Sequence, residues 1–112
     1  MTAEPATTSE ACCAIAETLP AGDHLDHAAR VFKALSDPTR LRILRTIARM
    51  DELCECNIVP AFELSQPTIS YHLKILREAG LLRSERRGQW VYHRVNQRAL
   101  LGSVRDLTGI IS

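Results

Sequence analysis

With 112 residues, 46% hydrophobic content and a net charge of +1, the chain is sized for one globular domain with no strong overall bias toward nucleic acid or membrane. Aromatics make up only 4%, so any core must be built from Leu, Ile, Val and Ala. No run of about 18 apolar residues exists, which excludes a membrane-spanning helix, and the first residues lack the basic and apolar regions of a signal peptide.

The chain is therefore expected in the cytoplasm, where four cysteines read as ligands or redox groups before they read as disulfides. Charge is segregated along the sequence. Residues 1–64 carry six Lys/Arg against ten Asp/Glu, and residues 65–105 carry eight against two. A basic half beside an acidic half suggests that one face meets phosphates.

Residues 1–22 are rich in Thr, Ala, Glu, Pro and Gly, the composition of a mobile N-terminal arm. Residues 23–112 read as the folded domain. From His24, the residues Leu25, Ala28, Ala29, Phe32 and Leu35 recur at helical spacing. Asp37-Pro38 then stops this helix and starts another, with Asp37 as N-cap and Pro38 at the first helical position. The second helix, 38–50, is expected to bury Leu41, Leu44, Ile47 and Ala48, and to turn Arg40, Arg42, Arg45 and Arg49 outward.

A short connector with a stub of strand, 51–56, leads to a brief third helix at 57–62, with Pro60 near its start. Ser65 is a natural N-cap for a fourth helix whose apolar face is Ile69, Leu73 and Leu76, and Gly80 ends it. Two strand-like runs, 82–86 and 89–95, meet at Arg87-Gly88 as a hairpin. A last amphipathic helix, 97–111, carries Leu100, Leu101, Val104, Leu107 and Ile111. The order is mainly α with a small β-hairpin, α-α-α-α-β-β-α, the layout of a winged helix-turn-helix.

The apolar stripes of the first and last helices are too large for so short a chain to hide, so a homodimer through these two helices is expected. The fourth helix would then be the recognition helix. Gln66, Thr68, Ser70, Tyr71, His72 and Lys74 offer donors and acceptors suited to base edges and phosphates, and Arg86 and Arg87 at the hairpin tip supply a basic wing. His24 and His27 stand at i, i+3 but have no third ligand close in sequence, so a solvated helix surface explains them better.

The cysteines fall in two tight pairs, Cys12-Cys13 and Cys54-Glu55-Cys56. Neither spacing is that of a zinc ribbon or of the thioredoxin-like C-x-x-C motif. Soft thiolates suit As(III), Sb(III), Cd(II) or Pb(II). A redox-sensing regulator is the alternative of another class, although Glu10, Glu17, Glu52 and Glu55 flank the pairs and carboxylates disfavour thiolate formation. There is no Gly-rich phosphate loop and no Ser/His/Asp grouping, so no enzyme is expected.

The segments FKALSDPTRLRIL, ELCEC, LSQPTISYHLKILREAGLL and RRGQWVYHRV, together covering about residues 27–100, closely resemble the ArsR/SmtB metal-sensing repressors. The resemblance implies a homodimeric winged helix that binds double-stranded operator DNA, holds no permanent cofactor and releases DNA when an inducer binds. Cys54-x-Cys56 matches the cysteine pair of the arsenic and cadmium sensors of that family. Where one type of arsenic sensor has a third cysteine, this chain has Val59. Adjacent arm cysteines plus one near the third helix look like the actinobacterial type of arsenic(III) sensor. The implied ligands are Cys12, Cys13, Cys54 and Cys56: three of them for As(III) or Sb(III), all four for a Cd(II)/Pb(II) sensor. Asp106 on the last helix is followed by no histidine, so the family's zinc site on that helix is not expected.

Overall fold

The computed structural model describes residues 24–112. The elements in order are α1 (His24–Ala34), α2 (Pro38–Met50), β1 (Leu53–Cys54), α3 (Glu55–Phe62), α4 (Gln66–Glu78), β2 (Leu82–Arg87), β3 (Trp90–Val95) and α5 (Gln97–Gly109). This is the mainly helical, winged helix-turn-helix order expected from the sequence.

Local chemistry explains the boundaries. Asp37 caps α2 by accepting the Arg40 N–H at 3.0 Å, with Pro38 opening the helix. That hydrogen bond is the main reason the Asp37 carboxyl is held below the usual carboxylate range. Ser65 caps α4 through the Thr68 N–H at 3.3 Å. At the other end of α4, the Gly80 N–H reaches the Arg77 carbonyl at 2.9 Å and the Leu81 N–H reaches the Leu76 carbonyl at 3.0 Å. Gly80 adopts φ +83° to make this Schellman closure, a conformation that glycine reaches without strain.

The three strands form an antiparallel sheet in the order β1-β3-β2. Arg87 pairs with Trp90, which leaves a two-residue turn at Gly88-Gln89, and Gly88 takes φ +64° there. The core lies between α1, α2, α3, α4 and the base of the sheet, and includes Val31, Ile43, Ile47, Ile58, Ile69, Leu73, Leu76 and Leu81. α1 packs along α5.

Several burial expectations are corrected. Val31 and Ala34, rather than Ala29, join Ala28 on the buried face of α1, and Ile43 replaces Leu41 and Ala48 on α2, both of which are exposed. On α1 the buried face lies one position before the simplest apolar stripe, whereas α2 keeps Leu44 and Ile47 buried as expected. α3 begins two residues earlier than expected, which brings Cys56 into the helix and leaves Pro60 in the second turn instead of the first. α5 ends at Gly109, before Ile111.

Candidate nucleic-acid interface and thiol pair

Burial of Ile69, Leu73 and Leu76 turns the opposite face of α4 outward. Gln66, Thr68, Tyr71 and Lys74 are exposed there, while Ser70 and His72 are half-buried. The last two are committed to other helices. The Ser70 hydroxyl donates to Glu55 Oε2 at 2.8 Å. His72 Nδ1 accepts from Arg40 Nη1 at 3.2 Å, and Arg40 Nε donates to the Ala34 carbonyl at 2.6 Å. Arg40, expected to point outward, is therefore a strut between α1, α2 and α4.

Beside this face, Arg30, Lys33, Arg40 and Tyr71 line a cavity of about 410 Å³. The basic flank contributed by α1 was not foreseen, because these residues lie some 40 positions from Tyr71 and only the fold joins them.

The two wing arginines have different roles. Arg87 makes a bidentate bond to Glu52 (3.0 and 2.6 Å), reaches Glu85 at 2.8 Å and stacks 4.5 Å from the Tyr92 ring centre. The Arg87 hydrogen bonds hold the Glu52 carboxyl below its ordinary range, and Glu52 and Glu85 in turn hold Arg87 more firmly protonated. Arg86 is exposed and has no ionic partner among the described residues. It faces a cavity of about 310 Å³ shared with Gln66, Glu55, Cys56 and Trp90. The start of α4, the wing and one cysteine thus open onto a single groove.

Cys54 and Cys56 lie at the start of α3, 5.2 Å apart between Cα atoms, and their sulfurs are joined as a disulfide. Cys54 is also the N-cap of α3, where Sγ accepts the Cys56 N–H at 3.3 Å. Cys54 is buried and Cys56 is exposed. Arg86 and Glu55 line the same groove as Cys56. Among the described residues no group of three His, Cys, Asp or Glu is arranged to hold a metal ion. Cys12 and Cys13 lie outside the described residues. His24 and His27 are exposed on α1, as expected of surface histidines. No described helix is long and apolar enough to cross a membrane.

Residues 37–84 match the family described as bacterial regulatory protein, arsR family. The chain is 58% identical over 66 residues to the arsenic resistance transcriptional regulator ArsR1 of Pseudomonas putida, covering 59% of this chain and 52% of that protein. It thus spans about half the length of that relative. It is 39% identical over 75 residues to the arsenical resistance operon repressor of Bacillus subtilis, covering 67% and 71% of the two chains. Among solved structures, an ArsR-like transcriptional regulator from Rhodococcus sp. RHA1 superimposes with a TM-score of 0.70 at 30% identity, over 78% of this chain and 81% of that one.

Proposed function

Because the chain belongs to the arsR family of bacterial regulatory proteins, we propose that it is a homodimeric repressor that binds operator DNA and lets go when As(III) or Sb(III) is captured by cysteine thiolates. The observation that carries this reading is the position of Cys54 and Cys56. Cys56 lines the groove that α4 and the wing share, and Cys54 is joined to it from the buried side. An inducer held there sits against both elements that would touch DNA.

In the proposed complex, Gln66, Thr68 and Tyr71 face base edges, while Lys74 and Arg86 face phosphates. Ser70 and His72 serve mainly to fix the angle of α4, and Arg87 to fix the wing. Gln66→Ala should then cost about 1–3 kcal/mol against the preferred base pair and relax specificity at that position. Arg86→Ala should weaken binding to all duplexes alike and lower the slope of log affinity against log salt by about one. Fluorescence anisotropy on matched and mismatched duplexes separates the two outcomes.

For the inducer, Cys54 and Cys56 supply two thiols once a dithiol reductant has opened the disulfide by giving two electrons and two protons, and each thiol gives up its proton as it binds the metalloid. As(III) takes three thiolates in a pyramid, so we assign the third to Cys12 or Cys13, from the same protomer or its partner. To turn a 99:1 bound population into 1:99, the ligand must favour the DNA-free form by about 5.5 kcal/mol. Titrating the protein–DNA complex with arsenite, antimonite, cadmium, lead and zinc tests the assignment. Arsenite and antimonite should release DNA at the lowest concentrations. Release by cadmium or lead alone would select the four-thiolate reading, and release by zinc alone would reject both.

One observation favours a second reading. The Cys54–Cys56 bond is what a thiol-based redox regulator would use. Loss of DNA binding on peroxide treatment, reversed by dithiothreitol and insensitive to arsenite, would establish that reading instead.

A further inference from the structure

Glu55 stands between the two cysteines, and its carboxylate makes two bonds that leave α3 in different directions. Oε2 accepts from the Ser70 hydroxyl on α4 at 2.8 Å, and Oε1 lies 3.2 Å from His93 Nε2 on β3. A carboxylate only accepts, so Nε2–H of the ring is the donor. His93 is 1% exposed, and its Nδ1 lies 2.7 Å from Ser84 Oγ on β2, the residue that pairs with it across the sheet. One connected chain, Ser70–Glu55–His93–Ser84, therefore runs from the recognition helix through α3 into both strands of the wing.

We infer that Glu55 is a positioning residue that sets the angle between recognition helix and wing, and so the simultaneous fit of both to one duplex. A buried imidazole costs free energy unless its nitrogens are paired, which fixes the wing end of the chain. Ser70 is the attachment on α4, half-buried beside the exposed Thr68 and Tyr71. Since Glu55 is bonded on either side to a cysteine residue, a ligand that draws on either sulfur also pulls on this clamp. The inference rests on the DNA-binding half of the preceding reading and not on the identity of the inducer.

Electrostatics and positioning predict opposite signs, which makes the test sharp. Removing a negative charge beside a DNA groove should by itself tighten binding to every duplex. Loss of positioning should weaken binding, and only where fit matters. The assay uses reduced, metal-free protein, a duplex selected by the wild-type chain from a randomised pool, and an unrelated duplex.

Glu55→Ala is expected to lose about tenfold or more on the selected duplex and to keep or gain affinity for the unrelated one. Glu55→Gln, whose carbonyl can still accept one bond, should lose about threefold. The double variant Glu55→Ala/Ser70→Ala should lose less than the product of the single losses and bind about as tightly as Glu55→Ala alone. If Glu55→Ala is unfolded at the assay temperature by circular dichroism, Glu55→Gln with Ser70→Ala decides by the same non-multiplicative criterion. Folded variants that bind the selected duplex as tightly as wild type, or losses that multiply, would overturn the inference. If the wild-type chain selects no duplex, the DNA-binding reading fails. Amide exchange then still tests the clamp, because Glu55→Ala must speed exchange in both α4 and β3, and no change in either would refute it.

Discussion

Leu101→Asp combined with Leu107→Asp is expected to convert the protein to a monomer and to abolish tight operator binding. On α5, Ser103 is buried and Leu100 packs against the core, while Leu101 (57% exposed), Val104 (43%) and Leu107 (49%) remain exposed along the helix. α1 packs beside this helix, so the apolar surface lies where the first and last helices meet. Burying a leucine is worth about 1.5–3 kcal/mol, and a two-fold interface counts every residue twice. Placing two carboxylates per protomer on such a seam replaces that gain with buried, unpaired charge.

A dimer reads two half-sites at once, and losing the second contact removes an avidity of about 10²–10⁴. Sedimentation equilibrium should show the monomer mass, and anisotropy should show operator affinity lower by at least about a hundredfold. Both carboxylates lie away from α4 and the wing, so weak non-specific DNA binding should survive. A double variant that remains dimeric would show that this face is not the seam.

The second large effect is expected at the thiol pair. Cys54→Ser should leave operator binding within about twofold of wild type and raise the arsenite needed for release by about a hundredfold or more. Serine is close in size to cysteine and is a strong N-cap, so it can accept the Cys56 N–H that Sγ now accepts at 3.3 Å. The fold should therefore be kept, or slightly stabilised, while a soft ligand loses one of its two thiolates at α3. Cys56→Ser should behave alike in release, although its exposed side chain makes it still less costly to the fold. Cys12→Ser/Cys13→Ser should keep DNA binding and blunt release; unchanged release in that variant would remove the N-terminal arm from the site. Release by arsenite at wild-type concentrations in Cys54→Ser would remove Cys54.

These expectations rest on parts of the molecule that were legible in the sequence to different degrees. α2 and α4 could be read nearly to the residue, because their starts are set by local side chains. Asp37 and Ser65 bond to backbone groups three positions on, and a cap of that kind is written within a few letters. The hairpin was likewise marked by Gly88, which supplies the left-handed turn.

Burial was less legible, since Leu41 and Ile43 differ little in chemistry and only the placement of neighbouring helices decides which one faces inward. The two wing arginines were also indistinguishable as letters. Glu52, 35 positions upstream, neutralises Arg87 and leaves Arg86 unpaired among the described residues. Ser70 and His72 look like free donors on a recognition helix. In fact both are held by groups at a distance, Glu55 and Arg40. Glu55 was read only as a carboxylate beside cysteines, and its link to His93 spans 38 residues. The closeness of Cys54 and Cys56 was legible because they are two residues apart, but their joining as a disulfide was not expected, and Cys12 and Cys13 fall outside the described residues.

The most direct measurement of the central claim combines release with a map of the thiols. The reduced protein–DNA complex receives one equivalent of arsenite per site, release is followed by anisotropy, and the same samples are alkylated and analysed by mass spectrometry. Cys54 and Cys56 are expected to become protected together with at least one of Cys12 and Cys13, with protection rising in step with release. Release while Cys54 and Cys56 remain open to alkylation, or their full protection with DNA still bound, would contradict that claim.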